Sequence, residues 1–186
     1  QQVMRFLLWG CVAMAMFSGN AIGEWESVDL RQLEVGGEIG RRINVTVANN
    51  LLVLDADGDF LKPFQKPKAT GGYIGIGKLI DALVRFAAYT DDPRVLERKR
   101  HVVDALLATQ GADGYIGQMV PARRMWSLWD IHEMGYIVYG LAMDHRFFGE
   151  EPSLDAARNL ADYIITQWQQ DPKENPWDIT TYMGVT

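Results

Sequence analysis

One piece of helical grammar occurs twice in this chain at a fixed distance. Tyr89 leads through Thr90, Asp91 and Asp92 to Pro93, and a helical stretch then ends near Gln110; the same order returns with Phe148, Gly149, Glu150, Glu151 and Pro152 and ends near Gln169. Tyr89 and Phe148, Pro93 and Pro152, and Gln110 and Gln169 are each 59 residues apart, the length of one long helical hairpin. A hairpin of this kind cannot bury its apolar face alone, so neighbouring copies stack into a solenoid or close into a ring. The expected fold is all-α: an α/α toroid of the six-hairpin type, incomplete, with about two and a half hairpins present.

The composition agrees with a packed helical domain. Of 186 residues, 48% are hydrophobic and 11% aromatic, enough for a real core. The net charge of −6, with no basic cluster denser than the run from Glu97 through Arg98, Lys99 and Arg100 to His101, excludes nucleic acid as the expected partner. That basic run falls inside a helix and is expected to form a solvated face. Met4 is the first plausible start, and Met183 to Thr186 stop where another loop would lead to another helix. The chain is therefore expected to be truncated at its C-terminus.

Residues 1–23 read as a signal peptide. Arg5 provides a positive start, Phe6 to Phe17 form an apolar run, and Ala21 and Gly23 place small residues before Glu24. The run is short for a bilayer span, so no stable membrane anchor is expected and the protein is expected to be periplasmic or secreted. Cys11, after Leu8, Trp9 and Gly10, leaves a lipoprotein reading open, but so near Met4 that little hydrophobic region would remain. It is the only cysteine, so residues 24–186 hold no disulfide and no thiolate metal site.

Apolar spacing predicts helices over 38–54, 77–89, 93 to about 110, 130–148, and a last one capped by Ser153. Asp92 suits an N-cap and Pro93 a first helical residue. The turns within hairpins are short and acidic, whereas the connections 55–76 and 111–127 are long. In antiparallel hairpins all long connections emerge on one rim. That rim carries Tyr73, Asp113, Tyr115, Arg123, Arg124, Trp126, Trp129, Asp130, His132, Glu133, Trp177, Asp178 and Tyr182. Aromatic rings beside carboxylates and guanidinium groups suit a polyhydroxylated ligand, whose C–H faces stack on rings while its hydroxyls take polar partners. The rim is read as a sugar site.

Gly77 with Lys78, the loop Asp113, Gly114, Tyr115, Ile116 and Gly117, and Trp129 with Asp130, followed by Tyr136, Gly140 and Leu141, resemble in order and spacing the N-terminal half of the β-L-arabinofuranosidase-like glycoside hydrolases. Asp178 with Ile179 resembles a further pair of that family, and the likeness covers roughly residues 30 to 186. It implies an (α/α)6 barrel followed by β-sandwich modules, acting on glycosides from plant or microbial polysaccharides. It also implies a cysteine nucleophile held by zinc with Glu and Cys ligands, and a glutamate acid/base, all beyond Thr186. No cofactor is thus expected within this segment, although zinc is possible in the full-length protein, and no catalytic residue is assigned here. The chain departs from the family where histidines are expected, at or beside Ile74 and at Tyr136.

The candidate substrate-binding residues are Trp126, Trp129, Asp130, His132, Tyr136, Tyr115 and Asp178. Trp126 and Trp129 form a stacking platform or plug the barrel top. Asp130 caps its helix or binds a sugar, and Asp178 caps or contacts ligand. His132 is a hydrogen-bonded structural group or an acid/base. The expected function is the N-terminal part of an exported glycoside hydrolase that contributes to a sugar-binding funnel. The alternatives are another toroid sugar enzyme, such as an unsaturated-uronide hydrolase, a lyase or an epimerase, or a non-catalytic sugar-binding toroid.

Three motifs are set aside. The stretch from Asp55 to Lys66 lacks the glycine and glutamate of a calcium loop, and is read as a turn closing the first helix. Gly71 to Gly77 are glycine-rich without a preceding strand or a phosphate-loop ending. Asn44, Val45 and Thr46 form a glycosylation sequon on a predicted helix.

Overall fold

In a computed structural model, residues 28–126 and 129–170 are described. They build six α-helices: α1 (Gly37–Thr46), α2 (Lys62–Gln65), α3 (Ile76–Thr90), α4 (Pro93–Leu107), α5 (Asp130–Phe148) and α6 (Glu151–Gln170). Among the described residues there is no strand, only an isolated parallel bridge between Ala69 and Met119. The signal peptide, Cys11, Trp177, Asp178 and Tyr182 lie outside the described residues. No described helix is long and apolar enough to cross a membrane.

The helices α3 and α5 form a close inner pair, with α4 covering α3 and α6 covering α5. Both inner helices run the same way, because each is followed by a short turn and an antiparallel outer helix. This layering is that of an α/α toroid. The inner pair approaches backbone to backbone: a Cβ on Gly77 would strike the Tyr136–Ile137 peptide, and one on Gly140 would lie 2.8 Å from the Gly77 carbonyl oxygen. Glycine at both places lets the two helices touch without side chains between them. Ile80, Leu83, Val84, Ile137 and Leu141 fill the seam and are fully buried.

The hairpin turns obey local chemistry. Asp92 caps α4, its carboxylate accepting from Arg94 N–H at 2.9 Å, and Pro93 follows at the first helical position. Ser153, by contrast, is not the cap of α6. That helix begins at Glu151, and the buried Ser153 hydroxyl donates to Asp144 Oδ2 at 2.7 Å. The seryl group is used between helices because Pro152 already suits a helical first turn.

Two other expectations are corrected. The basic run in α4 is a solvated face only in part: Glu97, Arg100 and His101 are exposed, but Arg98 and Lys99 turn inward. Lys99 is 1% exposed and pairs with Asp144 at 2.7 Å, and its ammonium lies 4.4 Å from the Phe148 ring centroid. Arg98 donates to the carbonyls of Leu51 and Leu54, and His101 hydrogen-bonds Asp57 at 2.8 Å. The run thus ties α4 to the preceding connection and to α5. The single helix expected over 38–54 is instead α1 continued by a π-type turn, Val47–Leu51. Asp55 does not close that helix. It opens a second π-type stretch, Ala56–Leu61, by accepting from Gly58 N–H at 2.9 Å, and this leads into α2. Leu61 and Phe64 anchor the segment in the core.

Candidate functional site

The long connections do meet on one rim. Ala69 N–H donates to the Gln118 carbonyl at 3.1 Å, Val120 N–H to the Ala69 carbonyl at 2.9 Å, and Gln118 Nε2 to the Gly72 carbonyl at 3.1 Å. The connection before α3 is thereby sewn to the one before α5. The starts of the two inner helices are joined by Glu133, whose carboxylate accepts from Ile74 N–H at 2.9 Å and from Gly75 N–H at 2.9 and 3.1 Å. Gly75 is the N-cap of α3 at φ 85°, a left-handed conformation suited to glycine, and it offers no side-chain cap. Glu133 therefore supplies, from the neighbouring helix, the anion that an exposed helix N-terminus lacks.

Above this bond stands an aromatic cluster. His132 is edge-on to Tyr73 at 5.1 Å, to Trp129 at 5.5 Å and to Tyr136 at 4.9 Å between ring centroids, and Tyr73 lies 5.7 Å from Trp129. The Lys78 ammonium lies 4.4 Å from the Tyr136 centroid and 5.1 Å from that of Tyr73, in cation–π reach of both. The Tyr73 hydroxyl beside it holds the Lys78 pKa above the ordinary value. Burial pushes the Tyr73 hydroxyl upward. His132 Nδ1 is buried without a hydrogen-bond partner, and the His132 residue is 7% exposed. Trp129 is 36% exposed at the mouth and adopts φ 78°, a costly conformation for a bulky residue.

The cluster heads a longer stripe. Trp129, His132, Tyr136, Tyr139, Met143 and Arg146 recur every three or four residues along α5, so they share one helix face. Tyr139 accepts from Arg85 at 2.6 Å, and Arg85 is held by Asp81 at 2.7 Å, which continues the polar lining onto α3. Lower on the same face, Arg31, Arg85, Tyr139, Met143 and Arg146 border a cavity of about 490 Å³.

Asp130 and Tyr115 form a separate buried unit. Asp130 Oδ1 accepts from the Tyr115 hydroxyl at 2.9 Å, and Oδ2 accepts from Met125 N–H at 2.6 Å. The Tyr115 hydroxyl in turn accepts from Met119 N–H at 3.2 Å. Burial raises the Asp130 carboxyl to about 6 and raises the Tyr115 hydroxyl as well. Asp130 is the first residue of α5, with Trp129 at the N-cap, so it does not cap the helix. It fastens the 115–125 connection instead. Arg124 lies over the Tyr115 ring at 4.0 Å and meets Asp113 at 3.1 Å, which closes this part of the loop.

Of the residues expected from the sequence, His132, Tyr136 and Trp129 share the aromatic cluster, while Asp130 and Tyr115 sit in the loop anchor beneath it. Trp126 goes elsewhere, its ring 5.1 Å from that of Trp168, so the two tryptophans serve different neighbours. Sequence reasoning left out Lys78 as a site residue. The repeat length signals it only through its neighbour: Gly77 and Tyr136 are 59 residues apart, as are Tyr73 and His132, and equivalent positions of successive hairpins touch.

Among the described residues no three His, Cys, Asp or Glu side chains gather as a metal-binding group. The carboxylates of Asp130 and Glu133 already accept N–H and O–H donors on both oxygens.

Comparison with known families matches residues 16–183 to the family described as β-L-arabinofuranosidase, GH127 catalytic domain. No curated protein and no solved structure matched the chain. The match spans most of the 186 residues and agrees with an all-helical, toroid-type fold, and on that ground the chain belongs to the GH127 β-L-arabinofuranosidase catalytic-domain family of glycoside hydrolases.

Proposed function

We propose that this chain lines part of the sugar-binding funnel of an exported glycoside hydrolase that acts on plant or microbial poly- and oligosaccharides. The aromatic cluster at the paired starts of α3 and α5 carries the reading. Tyr73, Trp129 and Tyr136 offer ring faces for the C–H surface of a sugar, and Lys78 and His132 offer polar contacts among them. Family membership supports a carbohydrate substrate.

Glycoside hydrolysis needs an acid and a nucleophile or base flanking the scissile bond. Asp130 and Glu133 suit neither role, because both oxygens of each carboxylate are bound by donors of the fold. Bond cleavage is accordingly assigned to groups outside the described residues. Export rests on Arg5, the apolar run Phe6 to Phe17 and the small residues before Glu24. It is checked by sequencing the N-terminus of the exported protein, expected to begin at Glu24.

Assay of the full-length protein against aryl glycosides, β-L-arabinofuranoside among them, tests the reading. Turnover that falls with Trp129→Ala and Tyr136→Ala, chiefly through a raised KM, is expected. Failure to hydrolyse any of them, alongside measurable oligosaccharide binding, would identify a binding toroid instead.

A further inference from the structure

The most exposed charge in the aromatic cluster is Lys78, whose ammonium is held by the Tyr73 hydroxyl and the rings of Tyr73 and Tyr136. It occupies the first turn of α3, where the helix N-terminus already carries partial positive charge and a cation is destabilising. The residue is exposed, so core packing does not explain it. Glu133, whose charge reaches Lys78, is itself bound by the backbone N–H groups of Ile74 and Gly75, and the partner of the Lys78 ammonium is the Tyr73 hydroxyl rather than a carboxylate. The start of α5 adds a second helix N-terminus beside the first. The ammonium is nevertheless held in place, over the rings of Tyr136 and Tyr73.

A second observation points to an absent partner. His132 is more than nine-tenths buried at the centre of the same rings, and its Nδ1 has no hydrogen-bond partner. A buried polar atom left in this state destabilises the protein unless another group satisfies it. As the Nδ1–H tautomer it would donate to an oxygen of a bound molecule. Trp129, held in its strained left-handed conformation, stands at the mouth of the same cluster.

Ring faces, a fixed cation and an orphaned donor together describe a ligand with an apolar ring face and an anionic edge. We propose that the cluster of Tyr73, Lys78, Trp129, His132 and Tyr136 takes a carboxylate-bearing glycosyl residue, a uronic acid, with Lys78 as the countercharge that distinguishes it from a neutral sugar. The inference rests on the reading of this rim as a sugar site and adds the class of residue bound there. The carboxylate is favoured over a more highly charged group because a single ammonium faces it, and Lys binds as a point charge without the planar fork of Arg.

The test uses the full-length protein and a matched pair of probes, α-1,4-linked digalacturonate and α-1,4-linked galactobiose, which differ only in the oxidation state of C6. Calorimetric titration in low salt is expected to show digalacturonate binding about tenfold more tightly, with the preference reduced in high salt. Lys78→Met is expected to bring the two affinities close to parity, and Lys78→Arg to retain much of the preference. Lys78 is exposed, so both variants should fold, as circular dichroism and thermal melting will verify. Equal affinities in the unmodified protein, or a preference that survives Lys78→Met, would overturn the carboxylate assignment while leaving the sugar site intact. Binding of neither sugar, nor of any neutral oligosaccharide, would overturn the sugar site itself and this inference with it.

Discussion

The backbone N–H of Gly75 donates to both carboxylate oxygens of Glu133, 58 residues later in the chain, and so one inner helix caps the next. The bond fixes the relative height of α3 and α5 and with it the spacing of the rings on the rim. Glu133→Gln keeps the shape but removes the charge, and should lower stability by about 1.5–3 kcal/mol, the range for hydrogen bonds to charged groups. Urea unfolding measures this, and an unchanged midpoint would show that the helix starts are held by other contacts.

Gly77 and Gly140 make the same contact possible from the packing side. Gly77→Ala gains helix propensity, yet its Cβ meets the Tyr136–Ile137 backbone, which has no rotamer with which to give way. Overpacking of this kind should cost about 1–3 kcal/mol net, read as a lowered thermal midpoint. A stabilised variant would mean that α3 and α5 are further apart than described.

The buried pair of Lys99 and Asp144 lies at the opposite end of the inner helices. Lys99→Met alone leaves the Asp144 carboxylate buried with only Ser153 as a donor, and should cost about 3–5 kcal/mol. Replacing both residues, Lys99→Met with Asp144→Leu, should recover most of that loss, because the desolvation of both charges disappears together. Chemical denaturation of the two single variants and the double variant gives the coupling directly. Additive losses would contradict a buried ion pair.

Asp130 sets a pH dependence whose sign is opposite to that of a salt-bridged aspartate. Burial raises its folded-state carboxyl from 3.8 to about 6, so between those values the folded protein holds a proton that the unfolded chain has released. The contribution of this group is fully present below pH 3.8 and is lost as pH rises through about 6, by on the order of 3 kcal/mol. Subtracting the stability profile of Asp130→Asn from that of the unmodified protein isolates it. A flat difference across this window would contradict a buried Asp130 carboxyl at the loop anchor.

How legible all this was from sequence depends on how local each cause is. The hairpin turns are readable because Asp92 and Pro93 act within a few residues, and apolar spacing places the inner helix α5 at 130–148. Lys99 is not legible in the sequence, because a basic run looks solvated until its partner, 45 residues away, is known. The sequence leaves Asp130 as a cap or ligand contact, because nothing in the order Trp129, Asp130 reveals that Trp129 takes the cap position at positive φ. Tyr73 was visible as a rim residue, but its meeting with His132 depends on register between successive hairpins. That register was present in the 59-residue period, which sets each inner-helix residue beside its counterpart in the next repeat.

If the start of α5 presents a sugar-binding wall, the two tryptophans separate that role from a purely structural rim. Trp129 is exposed beside Tyr73 and His132, whereas Trp126 packs on Trp168. Titrating oligosaccharides into the full-length protein and its Trp129→Ala variant, both confirmed folded, tests that role directly. Trp129→Ala is expected to weaken binding about tenfold or more with little change in thermal midpoint. Undiminished binding in that variant would contradict a sugar-binding wall.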